Sequence, residues 1–316
     1  MEIAHACQVS VQELVGQEFD LIIIGNKPNE RCCFLLNNYS LRGNRTLVLI
    51  DAEESKQNRQ LNANLPPSQS LDILELSPAT GEKIIAYIES FTSRFKQNEL
   101  SILVDYSCMA AQWYASIINY IYLKEIQCEK INMYFAYIPV KFLEPRKNSS
   151  KHELQVILND PVYVNPAITK KALILGLGYS VEKAQFIIQK VKPAITYFFY
   201  SQPAFDERYT SRVLQLNDRL ISSSEPGRLF PYPMTDMDFT VETLSRIVLD
   251  LRLENQVVLA SFGPKVFNLA CVLLFARFPD IEILSAGSDS QSNYEDVPIN
   301  LPVIYKAVFL SDEKCE

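Results

Sequence analysis

Short apolar runs rich in branched residues recur along this chain, and each ends in a turn that leads into a helical pattern. "FDLIIIG" (Phe19–Gly25), "TLVLID" (Thr46–Asp51), "LSILVDYS" (Leu100–Ser107), "KALILGLG" (Lys171–Gly178) and "QVVLASFG" (Gln256–Gly263) carry almost no polar alternation. Strands of that kind are buried on both faces. Between them lie amphipathic stretches such as "ATGEKIIAYIESFTSRF" (Ala79–Phe95), with apolar residues at Ile84, Ile85, Ile88 and Phe91. That spacing is helical. Repeated strand–helix–strand order gives mainly parallel sheets flanked by helices. The predicted fold class is therefore α/β, with two Rossmann-like lobes.

The boundary is expected in "VKFLEPRKNSSKHELQ" (Val140–Gln155), a polar stretch holding Pro145. This divides the chain into an N-terminal lobe, 1–145, and a C-terminal lobe, 146–316. Both halves open with an apolar strand, a turn and a helix. Both later have a strand that turns sharply into a very apolar helix, "ILVDYSCMAAQWYASIINY" and "VVLASFGPKVFNLACVLLF". An internal duplication would produce this order, although residue identity between the halves is too low to prove one. Further helices are expected at Glu30–Tyr39, Glu207–Ser222 and Asp238–Asn255, the last with Asp238 as N-cap. Ser222–Pro233 is expected to be a loop, and Pro302–Leu310 an edge strand.

Charge narrows the partners. The 316 residues carry a formal net charge of −7, so a generally basic nucleic-acid-binding surface is not expected. The cysteines are Cys7, Cys32, Cys33, Cys108, Cys128, Cys271 and Cys315, an odd number with no CxxC spacing. Free thiols in a reducing cytoplasm and no metal site follow from that pattern. No targeting pattern opens the sequence. The longest apolar run, "VFNLACVLLFARF" (Val266–Phe278), falls short of the ~18 residues that would span a bilayer. A cytoplasmic protein without a membrane partner is expected.

In an open parallel sheet, ligands bind beyond the carboxyl ends of the strands, where helix N-termini attract anions. Four turns there carry the candidates. "GNKPNERCC" (Gly25–Cys33) places Glu30 and Arg31 at a helix start, Arg31 as a ligand contact. "DYSCMA" (Asp105–Ala110) offers Asp105, Ser107 as a natural N-cap, and Cys108, whose thiol would be activated near a helix N-terminus. A nucleophilic cysteine also wants a base, and only His5 and His152 exist. A structural cap with a buried thiol is the simpler reading. "GLGYSVEK" (Gly176–Lys183) has G-x-G, but Val181 stands where the dinucleotide fingerprint needs a third glycine. Standard NAD binding is thus not expected. "SFGPKVF" (Ser261–Phe267) puts Lys265 in the first helical turn, against the helix dipole, which points to an anionic partner.

Other templates fail: no Walker A, HExxH, GxSxG or EF-hand loop is present. Glu54-Ser55-Lys56 only faintly matches a nuclease carboxylate–lysine pair. The aromatic run Tyr197–Tyr200 reads as core rather than as a base-stacking platform. No cofactor is identified.

At Glu30-Arg31, Asp105-Tyr106-Ser107, Gly178-Tyr179 through Ala184, Asn217 and Gly263-Pro264-Lys265, the sequence resembles a group of two-lobed Rossmann-like proteins of bacterial defence-type gene neighbourhoods. It departs from that group in the G-x-K turn, where an extra threonine is often found. The resemblance implies a sensor or effector subunit of an antiviral-defence-type system. Its ligand would be a nucleotide or other phosphorylated metabolite. Arg31, Ser107, Gly176, Gly178, Tyr179, Lys183, Gly263 and Lys265 are the candidate ligand-binding residues. The expected partner is a second copy of the chain or another protein of the same system. Two alternatives stand beside this: a scaffold that has lost small-ligand binding, and an enzyme acting on a nucleotide with Asp105 or Glu30 as acid/base.

Overall fold

The computed structural model describes residues 1–27, 29–52, 70–77, 81–124, 126, 128–144, 153–286 and 297–311. They fall into two compact units. Unit 1 is Met1–Lys141 with the chain's last described stretch, and unit 2 begins at Phe142.

Unit 1 runs β1 (Glu2–Val9), β2 (Glu18–Phe19), β3 (Leu21–Asn26), α1 (Phe34–Asn38), β4 (Arg42–Gly43), β5 (Thr46–Asp51) and β6 (Leu71–Leu76). It continues with α2 (Glu82–Thr92), β7 (Glu99–Asp105), α3 (Ala111–Leu123) and β8 (Lys130–Tyr137). Unit 2 runs β9 (Leu154–Leu158), β10 (Lys171–Gly176), α4 (Val181–Val191), β11 (Ile195–Ser201), α5 (Glu207–Ser222) and β12 (Leu229–Tyr232). After these come α6 (Met237–Leu251), β13 (Gln256–Ser261), α7 (Lys265–Arg277) and β14 (Glu282–Ala286). The chain then forms β15 (Val303–Leu310).

The first large sheet has the order β1-β15-β8-β7-β3-β5-β6, and the second β12-β11-β10-β13-β14-β9. Within them, β8-β7-β3-β5-β6 and β14-β13-β10-β11-β12 are all parallel. The two five-stranded cores thus have the same order, strand for strand. An antiparallel strand flanks the last core strand in each, β15 beside β8 and β9 beside β14. The α/β class with two mainly parallel, helix-flanked sheets is as expected. The matching order gives the halves the topology of a duplication that residue identity alone did not reveal.

Burial explains the elements. Every residue of β3 and β5 is buried, as branched runs between two helical layers must be. Helix α7 buries Val266, Phe267 and everything from Leu269 to Ala276, so its apolar character on all sides serves a core position. Among the described residues no helix is long and apolar enough to cross a membrane.

Several expectations need correcting. The C-terminal boundary differs: β15 lies in the sheet of unit 1, so lobe 2 does not extend from 146 to 316. Nor is β15 an edge strand, since β1 pairs along its outer side. Ser222–Pro233 contains β12, which pairs with β11 through Phe198–Ser201. The expected helix at Glu30–Tyr39 shrinks to α1. The N-cap of α6 is Asp236, whose carboxylate accepts the Phe239 N–H at 2.9 Å, in place of Asp238. Glu54-Ser55-Lys56, His152, Cys315 and half of the expected linker, 145–152, lie outside the described residues.

Candidate functional site

The crevice of a doubly wound sheet opens where the chain leaves the first core strand in opposite directions. In unit 1 that point lies between β3 and β7, and in unit 2 between β10 and β13. All four turns singled out from sequence fall at these two points, two in each unit.

In unit 1 the turn residues hold one another. Asn29 is buried and its side-chain oxygen accepts the N–H groups of Arg31 (2.9 Å) and Cys32 (3.2 Å). The Arg31 side chain, also buried, donates from Nε to the Ile138 carbonyl at 2.6 Å and lies over the Tyr137 ring. Ser107 Oγ accepts the Ile138 N–H at 2.8 Å. Both polar groups of Ile138, one residue past β8, are therefore clamped by the two turns. Asp105 Oδ1 accepts the Ser107 N–H at 3.0 Å. Gly25 packs so tightly that a Cβ there would lie 2.9 Å from the Cys108 carbonyl carbon.

A disulfide between Cys32 and Cys108 joins the same two turns. This corrects two expectations: these sulfurs are not free thiols, and Cys108 is no candidate nucleophile. Cys33, Cys128 and Cys271 are not joined in disulfides. Burial pushes the Cys33 thiol up to about 12, with the Asp105 charge adding to it, so Cys33 is not an activated nucleophile either. Ser107 does not cap α3, whose N-cap is Ala110. Glu30 is exposed while Asp105 is buried, and both stand in unit 1. No group of three potential metal ligands occurs among the described residues.

In unit 2 the G-x-G turn and the S-F-G-P turn meet. A Cβ on Gly178 would lie 1.6 Å from the Phe262 carbonyl oxygen, and one on Gly263 would lie 2.7 Å from the Leu177 oxygen. The glycines are required by this backbone-to-backbone approach. Asn217, from α5, reaches the same turn and donates from Nδ2 to the carbonyls of Gly178 (2.9 Å) and Val213 (2.8 Å).

Three oxygens at the carboxyl edge of this sheet are buried without a hydrogen-bond partner among the described residues: Asn217 Oδ1, Ser201 Oγ and Ser261 Oγ. Ser201 and Asn217 are each 1% exposed. Ser201 and Ser261 end β11 and β13, the strands on either side of β10, and Ser261 Oγ comes within 3.2 Å of a Cβ built on Gly176. Buried polar atoms are seldom left unpaired, and each such atom calls for a partner.

Beside the turn, Tyr179 packs at a tilt on Tyr209, ring centroids 4.9 Å apart, and meets Phe142 edge-on at 6.4 Å. Burial holds the Tyr179 hydroxyl well above the usual phenol range, with the charges of Glu144 and Asp206 adding to it. Lys183 is buried in the first turn of α4, and Lys265 is half-buried at the start of α7. No family model matches this chain, and no curated protein matches it.

The structure thus separates the candidates by unit. Arg31, Ser107, Asp105 and Cys108 make up the tied edge of unit 1. Gly176, Gly178, Tyr179, Lys183, Gly263 and Lys265 lie along the carboxyl edge of unit 2. Sequence reading missed Ser201 and Ser261. The available signal was their place, a serine at the carboxyl end of a core strand.

Proposed function

We propose that the chain is a ligand-binding sensor or effector subunit of a bacterial antiviral-defence-type system, and that its ligand is a nucleotide or other phosphorylated metabolite. The ligand would sit at the carboxyl edge of unit 2. The observation that carries this reading is the set of unpartnered oxygens on Ser201, Asn217 and Ser261 at the carboxyl edge of the unit 2 sheet. Serine hydroxyls donate to phosphate or carbonyl oxygen, and the Asn217 oxygen accepts from an amine or hydroxyl. Lys265, in the first turn of α7, adds positive charge at a helix N-terminus, where anions are already favoured. Arg31 belongs to unit 1.

A second reading, a scaffold without a small ligand, draws support from the contact of Gly178 with the Phe262 backbone. That packing accounts for the glycine without any phosphate.

Native mass spectrometry of the freshly purified chain tests the first reading. An excess mass, released on denaturation and absorbing as a nucleobase or containing phosphorus, is the expected result. A bare protein mass, unchanged after incubation with a panel of nucleotides and sugar phosphates, sinks it in favour of the scaffold. Where a ligand is found, Lys265→Ala is expected to weaken it without lowering the melting temperature.

A further inference from the structure

Each unit also has a pocket at the opposite, amino edge of its sheet. The two occupy equivalent places, beside the end of the helix that leads into the fourth core strand: α2 into β7, and α6 into β13. In both, an arginine stands just beyond the helix end, Arg94 in unit 1 and Arg252 in unit 2. The pockets differ in what that arginine does.

In unit 2 the pocket is about 370 Å³. Asp280 holds Arg252 through two contacts, at 2.9 Å to Nε and 2.8 Å to an Nη, and the guanidinium lies over the Phe278 ring. Its charge is consumed by the protein. In unit 1 the pocket is about 350 Å³, and Arg94 has no ion-pair partner among the described residues. Arg45, on the same wall, lies 3.6 Å from Asp72, which also accepts the Tyr87 hydroxyl at 2.6 Å. Asp72 stands behind the lining; the acid of the lining itself, Asp20, accepts the Ser101 N–H at 2.8 Å. Arg45 is thus matched by Asp72, Asp20 keeps its charge on the lining, and Arg94 is the lining guanidinium with no carboxylate within ion-pair distance among the described residues. The rings of Phe91 and Phe95, 6.1 Å apart, supply an apolar wall.

We propose that the unit 1 pocket binds a small organic anion with a flat apolar body, of the aromatic carboxylate class. Guanidinium groups take a carboxylate in a planar, two-pronged geometry, and the phenylalanine rings cover the ligand's body. The volume lies at the lower end of small-molecule sites, about 300–1,000 Å³. Arg94 also complements the last carbonyls of α2, so a test must separate binding from helix stability.

The probe is 4-fluorobenzoate, titrated into the full chain and followed by ¹⁹F NMR. Saturable binding is expected. Arg94→Ala is expected to weaken it about ten-fold or more, the loss of a charge-assisted pair, while the circular-dichroism melting temperature stays within a few degrees. Arg94→Lys, which keeps the charge but not the fork, should fall between. Neutral 4-fluorobenzamide should bind the wild type at least about ten-fold more weakly, by the same loss. Leu253→Ser, in the unit 2 pocket, should change nothing. Absence of saturable binding, unchanged affinity in Arg94→Ala, equal binding of the amide, or loss of binding in Leu253→Ser would each overturn the proposal.

Discussion

At the scale of single residues, the carboxyl edge of unit 2 depends on one carbonyl. The Gly178 oxygen accepts from Asn217, and the Gly178 Cα faces the Phe262 backbone. Adding a methyl group at Gly178 sets it 1.6 Å from a carbonyl oxygen that cannot rotate away. Gly178→Ala is therefore expected to cost about 3 kcal/mol or more, the upper range for overpacking. Asn217→Ala leaves the Gly178 carbonyl without this donor, while Val213 keeps its helical one, and should cost about 1–3 kcal/mol. Urea denaturation of both variants measures this. If either matched the wild-type midpoint, the turn would not be held as described.

Cys33 gives a second residue-scale expectation. Its thiol titrates at about 12 in the folded chain against an ordinary value of 9.0, chiefly because it is buried. A raised value means that the neutral thiol stabilises the fold fully below pH 9. The unfolded chain ionises first as pH rises, so that stability is lost progressively between pH 9 and about 12. Cys33→Ala should flatten this part of the stability–pH curve, whatever its effect at neutral pH. An unchanged slope in denaturant melts between pH 8.5 and 10.5 would refute the assignment.

At the scale of elements, sequence periodicity located the core strands well. Residues Thr46–Asp51 and Glu207–Ser222 match their elements end to end. Buried parallel strands and long amphipathic helices announce themselves in this way. Elements whose form comes from a distant partner do not. β12, with Pro231 inside it, reads as a loop and becomes a strand only because β11 offers Phe198–Ser201. Ser107 reads as a cap and instead reaches the Ile138 N–H, a partner 31 residues on. The candidate site was legible as a set of turns. Which turns would meet, and that the Asn217 carboxamide would tie α5 to one of them, depended on strand order.

The Cys32–Cys108 bond belongs to the same class of long-range facts, since 76 residues separate the two cysteines. Closing a loop of that length should stabilise the chain by about 4 kcal/mol through the unfolded state. The comparison is between wild type and the Cys32→Ser/Cys108→Ser double variant in urea. Alkylation of the denatured wild-type chain should label two fewer cysteines without reductant than with it. Full labelling without reductant would show that the thiols are free.

At the scale of the whole chain, the last strand makes unit 1 discontinuous. β9 follows β8 in sequence but pairs with β14, and β15 follows β14 but pairs with β8. Each covers the last strand of a parallel core. β15 lies between β8 and β1, and it buries Val303, Ile304, Tyr305, Ala307 and Phe309. The larger of these side chains contribute about 1.5–3 kcal/mol each, so together they approach the 5–15 kcal/mol stability of an ordinary domain. A chain ending at residue 296 should therefore lose unit 1. The exposed edge of β8 would present Ile131, Met133 and Phe135 beside unpaired backbone, a template for aggregation. Unit 2 encloses its own core of Leu173, Leu175, Ile187, Val213 and Val258, with β9 supplied from within. A fragment of residues 142–289 is expected to fold alone, with a cooperative urea transition by circular dichroism. A fragment of residues 1–141 should not, until a peptide of residues 297–311 is added in trans. Cooperative folding of 1–141 without the peptide would mean that β1 can close on β8 directly and that β15 is dispensable.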